Sequence, residues 1–218
     1  MPGKREPMPD GIKKRARRKA ERPAEILDAA FEEFVKNGYA ATRLEDVAAR
    51  AGVTKGTIYF YFDSKERVFD EMVRHKSQAV FPELESHVEK LEGSHTSRLR
   101  ALTAFVVHRI AEDRTSRETL RFLIAEGTRF PDLVDRHYEE FVAPLINQFR
   151  KLIEAGIAAG EFRSSLPAGE FMEKIVMSPA LVLSVWSLLF GSRKEFDFAA
   201  FTDASFDVLM RGLAAPHA

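Results

Sequence analysis

The chain has 218 residues and no cysteine, and its 33 basic and 33 acidic side chains cancel. This composition excludes a disulfide scaffold and thiolate metal sites, and it agrees with a reducing compartment. Hydrophobic residues make up 45% and charged residues 30% of the chain, as in globular proteins that fold in water. No apolar segment follows the first methionine, so we expect no export by a signal peptide, and the apolar run at 180–190 is too short to span a bilayer.

The charges are distributed unevenly along the chain. Residues 1–76 carry 17 basic and 13 acidic side chains, whereas residues 77–218 carry 16 and 20. Residues 1–22 alone carry nine basic and three acidic side chains, with three prolines and two glycines, so we expect this segment to be disordered. It is either a solvated tail or a basic arm that contacts DNA phosphates or the minor groove, and the pattern that follows favours the arm.

The first three helices are predicted from their ends. One helix runs from Pro23 to about residue 37, and Gly38 ends it. Thr42 and Glu45 have capping-box spacing, which predicts the start of a second helix. Gly52 then ends this helix and Thr54 caps a third one, which is the spacing of a helix-turn-helix.

The third helix has two distinct faces. Ile58 and Phe62 form an i, i+4 pair that we expect to face the core. In a helix-turn-helix the opposite face enters the major groove of DNA, and here Gly56 lets the backbone approach the bases while Thr57 contacts a base edge. The alternative is a capped helical hairpin whose aromatic residues only fill the core. The residues predicted to contact DNA bases or phosphates are Thr42, Arg43, Thr54, Lys55, Gly56, Thr57, Tyr59, Phe60, Tyr61 and Lys65.

Over about residues 23–70 the chain resembles the TetR family of bacterial transcriptional regulators. The matching positions are Gly38, Tyr39, Thr42, Val47, Ala48, Ala51, Gly52, Val53, Thr54, Lys55, Gly56, Thr57, Ile58, Tyr59, Phe60, Tyr61, Phe62, Ser64, Lys65 and Glu66. Two positions depart from the common pattern. Arg43 stands where many members have a second threonine, which implies a charged contact with the DNA backbone there. Phe60 stands where both polar and aromatic residues occur in the family.

Every strong pattern after residue 80 is helical. We predict helices at about 83–92, 97–113, 116–129, 132–159, 168–190 and 197–213, with kinks at Pro144 and Pro179. The sequence therefore predicts an all-α protein. Its parts are a disordered basic arm (1–22), a three-helix helix-turn-helix DNA-binding domain with a linking helix (23–76), and a helical domain for ligand binding and dimerisation (77–218).

The segment from Phe171 to Phe190 is apolar on nearly all sides, so we expect it to be buried on more than one face. With the last helix it predicts a homodimer through about residues 168–213, joined as a four-helix interface. The resemblance implies the same, because TetR-like proteins commonly dimerise through their final helices.

A ligand pocket is expected among the helices that follow residue 77, for a small molecule that is largely apolar or aromatic. The alternative is that the aromatic rings simply fill the core. The candidate pocket residues are Phe105, His108, Arg109, Phe122, Glu126, Phe141 and Trp186.

These features together predict a sequence-specific DNA-binding transcriptional regulator in the bacterial cytoplasm, a repressor that a small-molecule ligand releases from a palindromic operator. We expect no catalytic residues, no cofactor and no metal. The six histidines are scattered, no Gly-rich phosphate loop occurs, and a helical di-metal site would need two Glu-x-x-His motifs, whereas the chain has one, at 92–95. We also expect no membrane partner. The alternatives are an enzyme or carrier with a small apolar substrate, and an architectural DNA-binding protein without an effector.

Overall fold

The computed structural model describes residues 10–78, 81–165, 171–191 and 193–214. Within these ranges the regular structure is helical, apart from an isolated antiparallel bridge between Phe162 and Ala214. This confirms the predicted all-α fold for the described part of the chain. The chain divides into two compact units, an N-terminal unit (Met1–His75) and a C-terminal unit (Lys76–Ala218), one residue before the predicted boundary.

The N-terminal unit contains three whole helices and most of a fourth. These are α1 (Asp10–Ala41), α2 (Leu44–Ala51), α3 (Lys55–Tyr61) and α4 (Lys65–Gln78), and α4 continues into the C-terminal unit. The prediction of a disordered arm is wrong for residues 10–22, which belong to α1. The three prolines of that segment all precede Asp10, and Lys, Arg and Ala, which dominate after it, are strong helix formers. Residues 1–9 lie outside the described ranges.

The core of the N-terminal unit is built around three aromatic rings. Phe34 and Tyr39 pack against Phe69, with ring centroids 5.2 and 5.0 Å from it. All three rings are buried, and so are Ile58 of α3 and Phe62, the C-cap residue of α3, as their spacing predicts. The burial of these two side chains attaches α3 to the unit by one face.

The start of α2 differs from the prediction. The N-cap residue is Arg43, and its side chain accepts no capping hydrogen bond. The hydroxyl of Thr42 instead donates backwards to the carbonyls of Gly38 (2.7 Å) and Glu33 (3.1 Å), so the predicted capping box is wrong. Gly38 has φ 75° and interrupts α1 there, which confirms the predicted stop and brings its carbonyl within reach of Thr42.

The turn between α2 and α3 confirms the predicted helix-turn-helix. Gly52 ends α2 in the left-handed region with φ 65°, a conformation that L side chains rarely adopt. The Thr54 hydroxyl accepts the N–H of Thr57 at 3.2 Å and so caps α3. The next helix, α4, is capped by Ser64, whose hydroxyl accepts the N–H of Arg67 at 3.1 Å.

The C-terminal unit contains the end of α4 and seven further helices in the described ranges. They are α5 (Phe81–Glu89), α6 (His95–Val107), α7 (Arg114–Glu126), α8 (Pro131–His137), α9 (Ala143–Ala158), α10 (Phe171–Phe190) and α11 (Phe198–Leu213). Two π-helical turns interrupt this order, His108–Glu112 after α6 and Tyr138–Val142 between α8 and α9. The six helices that were predicted after residue 80 all occur, with ends displaced by a few residues. The one predicted at 132–159 is divided into α8 and α9 by the second π-helical turn.

The two prolines that were predicted to kink helices, Pro144 and Pro179, are accommodated differently. Pro144 lies in the first turn of α9, just after the second π-helical turn. Proline has no backbone N–H to donate, and it is tolerated in the first turn of an α-helix. The helix α10 continues through Pro179. Because Pro179 has no N–H to give to the carbonyl of Ile175, the hydroxyl of Ser178 donates to that carbonyl instead, at 2.7 Å.

The helix α10 has one buried and one exposed face. Val176, Ala180 and Leu183 are buried, whereas Leu181 and Leu189 are more than half exposed, so the expected burial on several faces is not seen within one chain. Of the described helices, α10 alone has the length and composition of a membrane-spanning helix, with a mean hydropathy of 1.5 over 18 residues, and a core helix passes the same test.

The carboxylate of Glu161 binds the N-terminus of α6. It accepts the backbone N–H of His95 (3.0 Å) and of Thr96 (3.1 Å), and one oxygen lies 2.8 Å from Nδ1 of His95. The hydrogen bonds from His95 and Thr96 lower the pKa of Glu161 to about 2. The segment after α9 is thereby joined to the start of α6 by charge-assisted bonds.

We predict that Glu161→Gln lowers the melting temperature at pH 7 by about 2–4 °C, the shift expected for the loss of one helix-capping group in a chain of this size. Because folding depresses the pKa of Glu161, its stabilisation is fully present above the unfolded pKa near 4.5 and is lost as the pH falls towards about 2. The difference in melting temperature between wild type and variant should therefore shrink below pH 4.

The control is Glu154→Gln, which removes an exposed carboxylate from α9. Its melting temperature should follow that of the wild type across the same pH series. Thermal unfolding followed by circular dichroism measures both. A constant difference between Glu161→Gln and wild type from pH 7 to pH 3 would show that the carboxylate charge has no part in this cap.

Candidate functional sites

The outward face of α3 carries the least buried aromatic side chains of the N-terminal unit. Tyr59 is 46% and Phe60 70% exposed. Tyr61 is half-buried, and its ring meets the ring of Phe60 edge-on, with centroids 5.0 Å apart. The burial of Ile58 sets the rotation of α3 about its axis, and the aromatic residues beside it therefore point away from the core.

Gly56 leaves an open space on this face. A Cβ atom placed on it meets Oγ1 of Thr54 at 3.8 Å, and no other described atom lies within 4 Å. Thr57, next in the chain, is half-buried, and its hydroxyl lies 2.9 Å from that of Thr54. The face is thus free of obstruction at Gly56, and the Thr57 hydroxyl belongs to the capping network. A base contact by Thr57 stays a prediction.

Lys55, predicted to contact phosphate, lies in an exposed ion pair. Its Nζ donates to Oε1 of Glu45 on α2 at 2.6 Å. The hydrogen bond between the two side chains is the main cause of the raised pKa of Lys55 and of the lowered pKa of Glu45. Such an exposed pair contributes little to stability. Exchanging Glu45 for a phosphate therefore costs little, and the pair also holds the lysine beside α3.

Lys65, at the first position of α4, has a structural contact that the sequence analysis missed. Its Nζ donates to the carbonyl of Ala40 at 3.1 Å and lies 4.6 Å from the centre of the Tyr39 ring. This side chain therefore ties the start of α4 to the end of α1. An ammonium group has three donors, so a phosphate contact remains compatible with this bond and stays a prediction.

Thr42 does not belong to the surface. Its side chain is only 2% exposed, and its hydroxyl donates to two backbone carbonyls of α1. We therefore remove Thr42 from the candidate DNA interface. Its neighbour Arg43 is exposed at the start of α2, in agreement with a surface role.

The C-terminal unit encloses a cavity of about 390 Å³, within the range of small-molecule sites. Its walls are mainly apolar and come from α4 to α10 and from both π-helical turns. The turn His108–Glu112 contributes Arg109 and Ile110, and the turn Tyr138–Val142 contributes Tyr138, Phe141 and Val142. A π-helical turn adds a residue to the helix and changes which side chains face a given side, and such turns are frequent at functional sites.

The last turn of α4 forms part of the cavity wall. Lys76 and Ser77 both line the cavity, and Oγ of Ser77 lies 3.3 Å from Nδ1 of His137 at the end of α8. Burial lowers the pKa of His137, so the neutral imidazole is favoured beside the apolar wall. The hydrogen bond joins α4 to α8 across a position that a ligand would contact.

Three of the seven predicted pocket residues line the cavity, namely Phe105, Arg109 and Phe141. The other four do not, and the reason differs for each pair. His108 is exposed and pairs with Glu112 at 3.1 Å, and Glu126 stands at the end of α7 outside the lining. Phe122 is buried in the core but outside the lining, and Trp186 packs against Phe190 and Phe196.

Most of the polar residues that line the cavity were not predicted from the sequence. Three cationic side chains line the cavity, from Lys76, Arg109 and Lys174, and no carboxylate is present among the described lining residues. Of the three, only Arg109 was predicted. The other polar lining residues that were missed are Ser77, Ser116, Thr119, His137, Tyr138 and Ser178.

Among the residues that the structure describes, no group of three or more His, Cys, Asp or Glu side chains is placed to hold a metal ion.

Two family models match the chain. A family model for bacterial regulatory proteins of the tetR family matches residues 26–72, which contain α2, α3 and most of α4. A second model, for the C-terminal domain of AefR-like transcriptional repressors, matches residues 97–173, which contain much of the cavity wall. The two matches together cover more than half of the chain.

Individual relatives are similar over nearly the whole chain. The chain is 29% identical over 207 residues to the transcriptional repressor KstR2 of Rhodococcus jostii, which covers 91% of this chain and 94% of that protein. Among solved structures, the fatty acid degradation regulator FadR of Bacillus halodurans has a TM-score of 0.69 at 20% identity, covering 87% of this chain and 94% of the other. FadR of Bacillus subtilis in complex with stearoyl-CoA has a TM-score of 0.65 at 21% identity, covering 87% and 98%. These two structures show that the fold is shared.

We predict that Gly56→Ala has opposite effects on folding and on DNA binding. Alanine favours a helix by up to about 1 kcal/mol over glycine, and the site has room for the methyl group, so the melting temperature should stay the same or rise. On DNA the methyl group would stand between the helix backbone and the bases. We expect the affinity for a selected duplex to fall at least about tenfold.

Thermal unfolding and fluorescence anisotropy with labelled duplex measure the two effects. Glu154→Ala is the control, since it places a methyl side chain at an exposed helical position of α9, outside the α3 surface and outside the α10 and α11 helices. Unchanged DNA affinity in Gly56→Ala would show that this face of α3 does not approach DNA.

Proposed function

The chain belongs to the TetR family of bacterial transcriptional regulators, and we propose that its α3 reads an operator while the cavity of the C-terminal unit binds the effector. It is a sequence-specific DNA-binding repressor that a small-molecule ligand releases. The observation that carries the proposal is the course of α4. Three residues separate the end of α3 from the start of this helix, and its last turn lines the cavity.

The DNA-binding surface that we propose consists of α3 and the start of α2. Gly56, Tyr59 and Phe60 face outward on α3, and Lys55 and Arg43 supply exposed cationic groups. The backbone of a helix can approach base edges at a glycine, and the two cations and the Tyr59 hydroxyl are suited to phosphate oxygens. Thr54, Thr57, Tyr61 and Lys65 complete the proposed interface. Binding should weaken steeply with salt, because each phosphate contact releases counterions.

We propose that the protein binds DNA as a homodimer through α10 and α11. Large apolar side chains are exposed on both helices, among them Val182, Leu189 and Val208. A contiguous exposed apolar surface on a globular protein marks an interaction site. A second copy of the chain is the occupant that the family suggests, and a twofold pair would present two copies of α3 to successive major grooves of a palindromic operator.

The effector that the cavity fits is an amphipathic anion. Its walls are mainly apolar, and the charged groups that line it are three cations without an acidic residue among the described lining residues. An apolar body would replace empty space, and an acid group would be attracted by the cations. Two of the similar structures support an acidic ligand with an apolar chain. One is the fatty acid degradation regulator FadR of Bacillus halodurans, and the other is FadR of Bacillus subtilis in complex with stearoyl-CoA. We therefore propose a carboxylic acid with a long apolar body, or its coenzyme A thioester.

Effector and operator are coupled through α4 in this proposal. A ligand in the cavity contacts Lys76 and Ser77, and any shift of these residues moves the helix that starts beside α3. Release of DNA requires only that the ligand bind more tightly to the arrangement of α4 that binds DNA less well. By linkage, the factor by which the ligand weakens operator binding equals the factor by which the operator weakens ligand binding.

The test uses the full chain and a duplex that it selects from a random-sequence library. We expect anisotropy to show salt-dependent binding, which dodecanoate or stearoyl-CoA reverses and the uncharged dodecanol reverses much less. Phe141→Trp, which fills part of the cavity, should keep operator affinity and reduce the effect of the acid at least about tenfold. The ligand affinity measured by calorimetry with and without the duplex should change by the same factor as the operator affinity.

Other outcomes identify the alternatives. Failure to select any duplex would favour a helical carrier or enzyme, whereas binding that no amphipathic acid reverses would favour an architectural DNA-binding protein or another ligand class. Equal action of dodecanoate and dodecanol would contradict the role of the cations. We propose no catalytic role, and a location in the bacterial cytoplasm follows from the DNA target.

The dimer is tested by placing a charge in its proposed interface. Leu189→Glu puts a carboxylate on the exposed face of α10 and should shift the protein to a monomer and weaken operator binding by at least about tenfold. Ile124→Glu is the matched control, since Ile124 on α7 is as exposed as Leu189. Sedimentation velocity measures the mass, and a monomeric wild type at micromolar concentration would contradict the proposal.

A further inference from the structure

The exposed apolar surface of the N-terminal unit is concentrated on α3. Among the described residues of that unit, the large hydrophobic side chains that are exposed belong to Tyr59 and Phe60, which are adjacent in the chain. Tyr59 has a hydroxyl group that can bind phosphate or water, but Phe60 has no polar atom. The 70% exposure of Phe60 leaves most of the surface of its ring accessible to DNA.

Phe60 and Gly56 lie one helical turn apart and share a face. Helical side chains lean towards the N-terminus of their helix, so the space beside Phe60 is the one that a side chain at position 56 would occupy. That space is open, since Thr54 Oγ1, at 3.8 Å, is the one described atom within 4 Å of a Cβ built on Gly56. The absent side chain at Gly56 and the large ring at Phe60 together form an accessible apolar patch.

The ring of Phe60 is also restrained in direction. It meets the ring of Tyr61 edge-on, with the two planes at 90° and the centroids 5.0 Å apart. Edge-to-face contacts of this kind are favourable, and a restrained side chain loses less conformational freedom when it binds. The patch is therefore partly ordered before DNA is bound.

The chemistry of the major groove narrows what this patch can recognise. Phenylalanine has no hydrogen-bond donor or acceptor, so it forms no hydrogen bond with phosphate oxygens or with the polar edges of the bases. The apolar group that bases present in the major groove is the C5 methyl of thymine. A cytosine at the same position lacks this methyl group, and it presents an amino group where thymine presents the oxygen O4.

We propose that Phe60 reads the C5 methyl group of a thymine in each half-site of the operator and so determines part of the sequence preference. This inference rests on the proposed function, in which α3 lies in the major groove. It assigns to Phe60 a specificity for the thymine methyl group that the phosphate-binding residues do not provide. Burying one methyl group corresponds to about a fourfold change in affinity, and two half-sites to about fifteenfold.

The experiment replaces thymine by deoxyuridine, which removes the C5 methyl group and leaves the hydrogen-bonding edge unchanged. The full chain first selects a duplex from a random-sequence library, and each thymine of that duplex is then replaced in turn. With the wild type we expect one thymine per half-site at which replacement weakens binding by about fourfold. In Phe60→Ala the same replacement should have no effect, and the other positions should respond as in the wild type.

Tyr59→Ala is the matched control, because it removes the neighbouring exposed ring and should leave the response to deoxyuridine intact. Both side chains are exposed, so both variants should melt at the temperature of the wild type. A wild type that responds to no deoxyuridine, a consensus without thymine, or a response that persists in Phe60→Ala would each overturn the assignment of Phe60. Failure of the wild type to select any duplex would instead overturn the proposed function.

Discussion

The DNA-reading surface depends on the burial of two side chains, Ile58 and Phe62. Ile58 lies in α3, and Phe62 is the C-cap residue that follows it. The helix α3 has seven residues, and isolated helices of that length are unstable in water. Its stability must come from its buried face and from its ends, where Gly52 closes the preceding helix and the Thr54 hydroxyl caps the next one. Because the two buried side chains lie one turn apart, they also fix the rotation of α3 about its axis. The direction in which Phe60 points is therefore a consequence of packing on the opposite side.

This part of the structure was predictable because its determinants are local. An i, i+4 apolar pair, a glycine at a helix end and a capping threonine all act within about four residues. The capping box at Thr42 is also local, but the prediction was wrong. The positive φ of Gly38 places its carbonyl where the Thr42 hydroxyl donates to it, and the N-cap of α2 is the next residue, Arg43, so Thr42 does not stand at the capping position. Sequence spacing identifies possible partners of a hydroxyl, and the path of the neighbouring chain decides between them.

The cavity was less predictable because its walls come from distant parts of the chain. Ser77 and His137 meet at 3.3 Å although 60 residues separate them, and no periodicity relates them. Arg109 and His108 were both predicted to line the pocket, because they are polar residues in an apolar segment. Only Arg109 does so, and His108 is exposed. Both lie in a π-helical turn, where the α-helical period does not hold. The second π-helical turn precedes Pro144, so a proline that was predicted to kink the helix lies next to the turn that places three residues in the cavity wall.

Among the described residues, three apolar surfaces lie where a different partner is proposed for each. The ring of Phe60 faces the proposed DNA, the cavity wall faces the effector, and the outer face of α10 and α11 faces a second copy. Filling or burying any of them within the monomer would stabilise the fold by the usual hydrophobic gain. In the proposed function that gain is realised on binding, and the helix α4 has residues in both the unit that carries Phe60 and the unit that contains the cavity. Under that proposal, a change in the occupancy of the cavity would be transmitted to the DNA-reading face along this continuous helix.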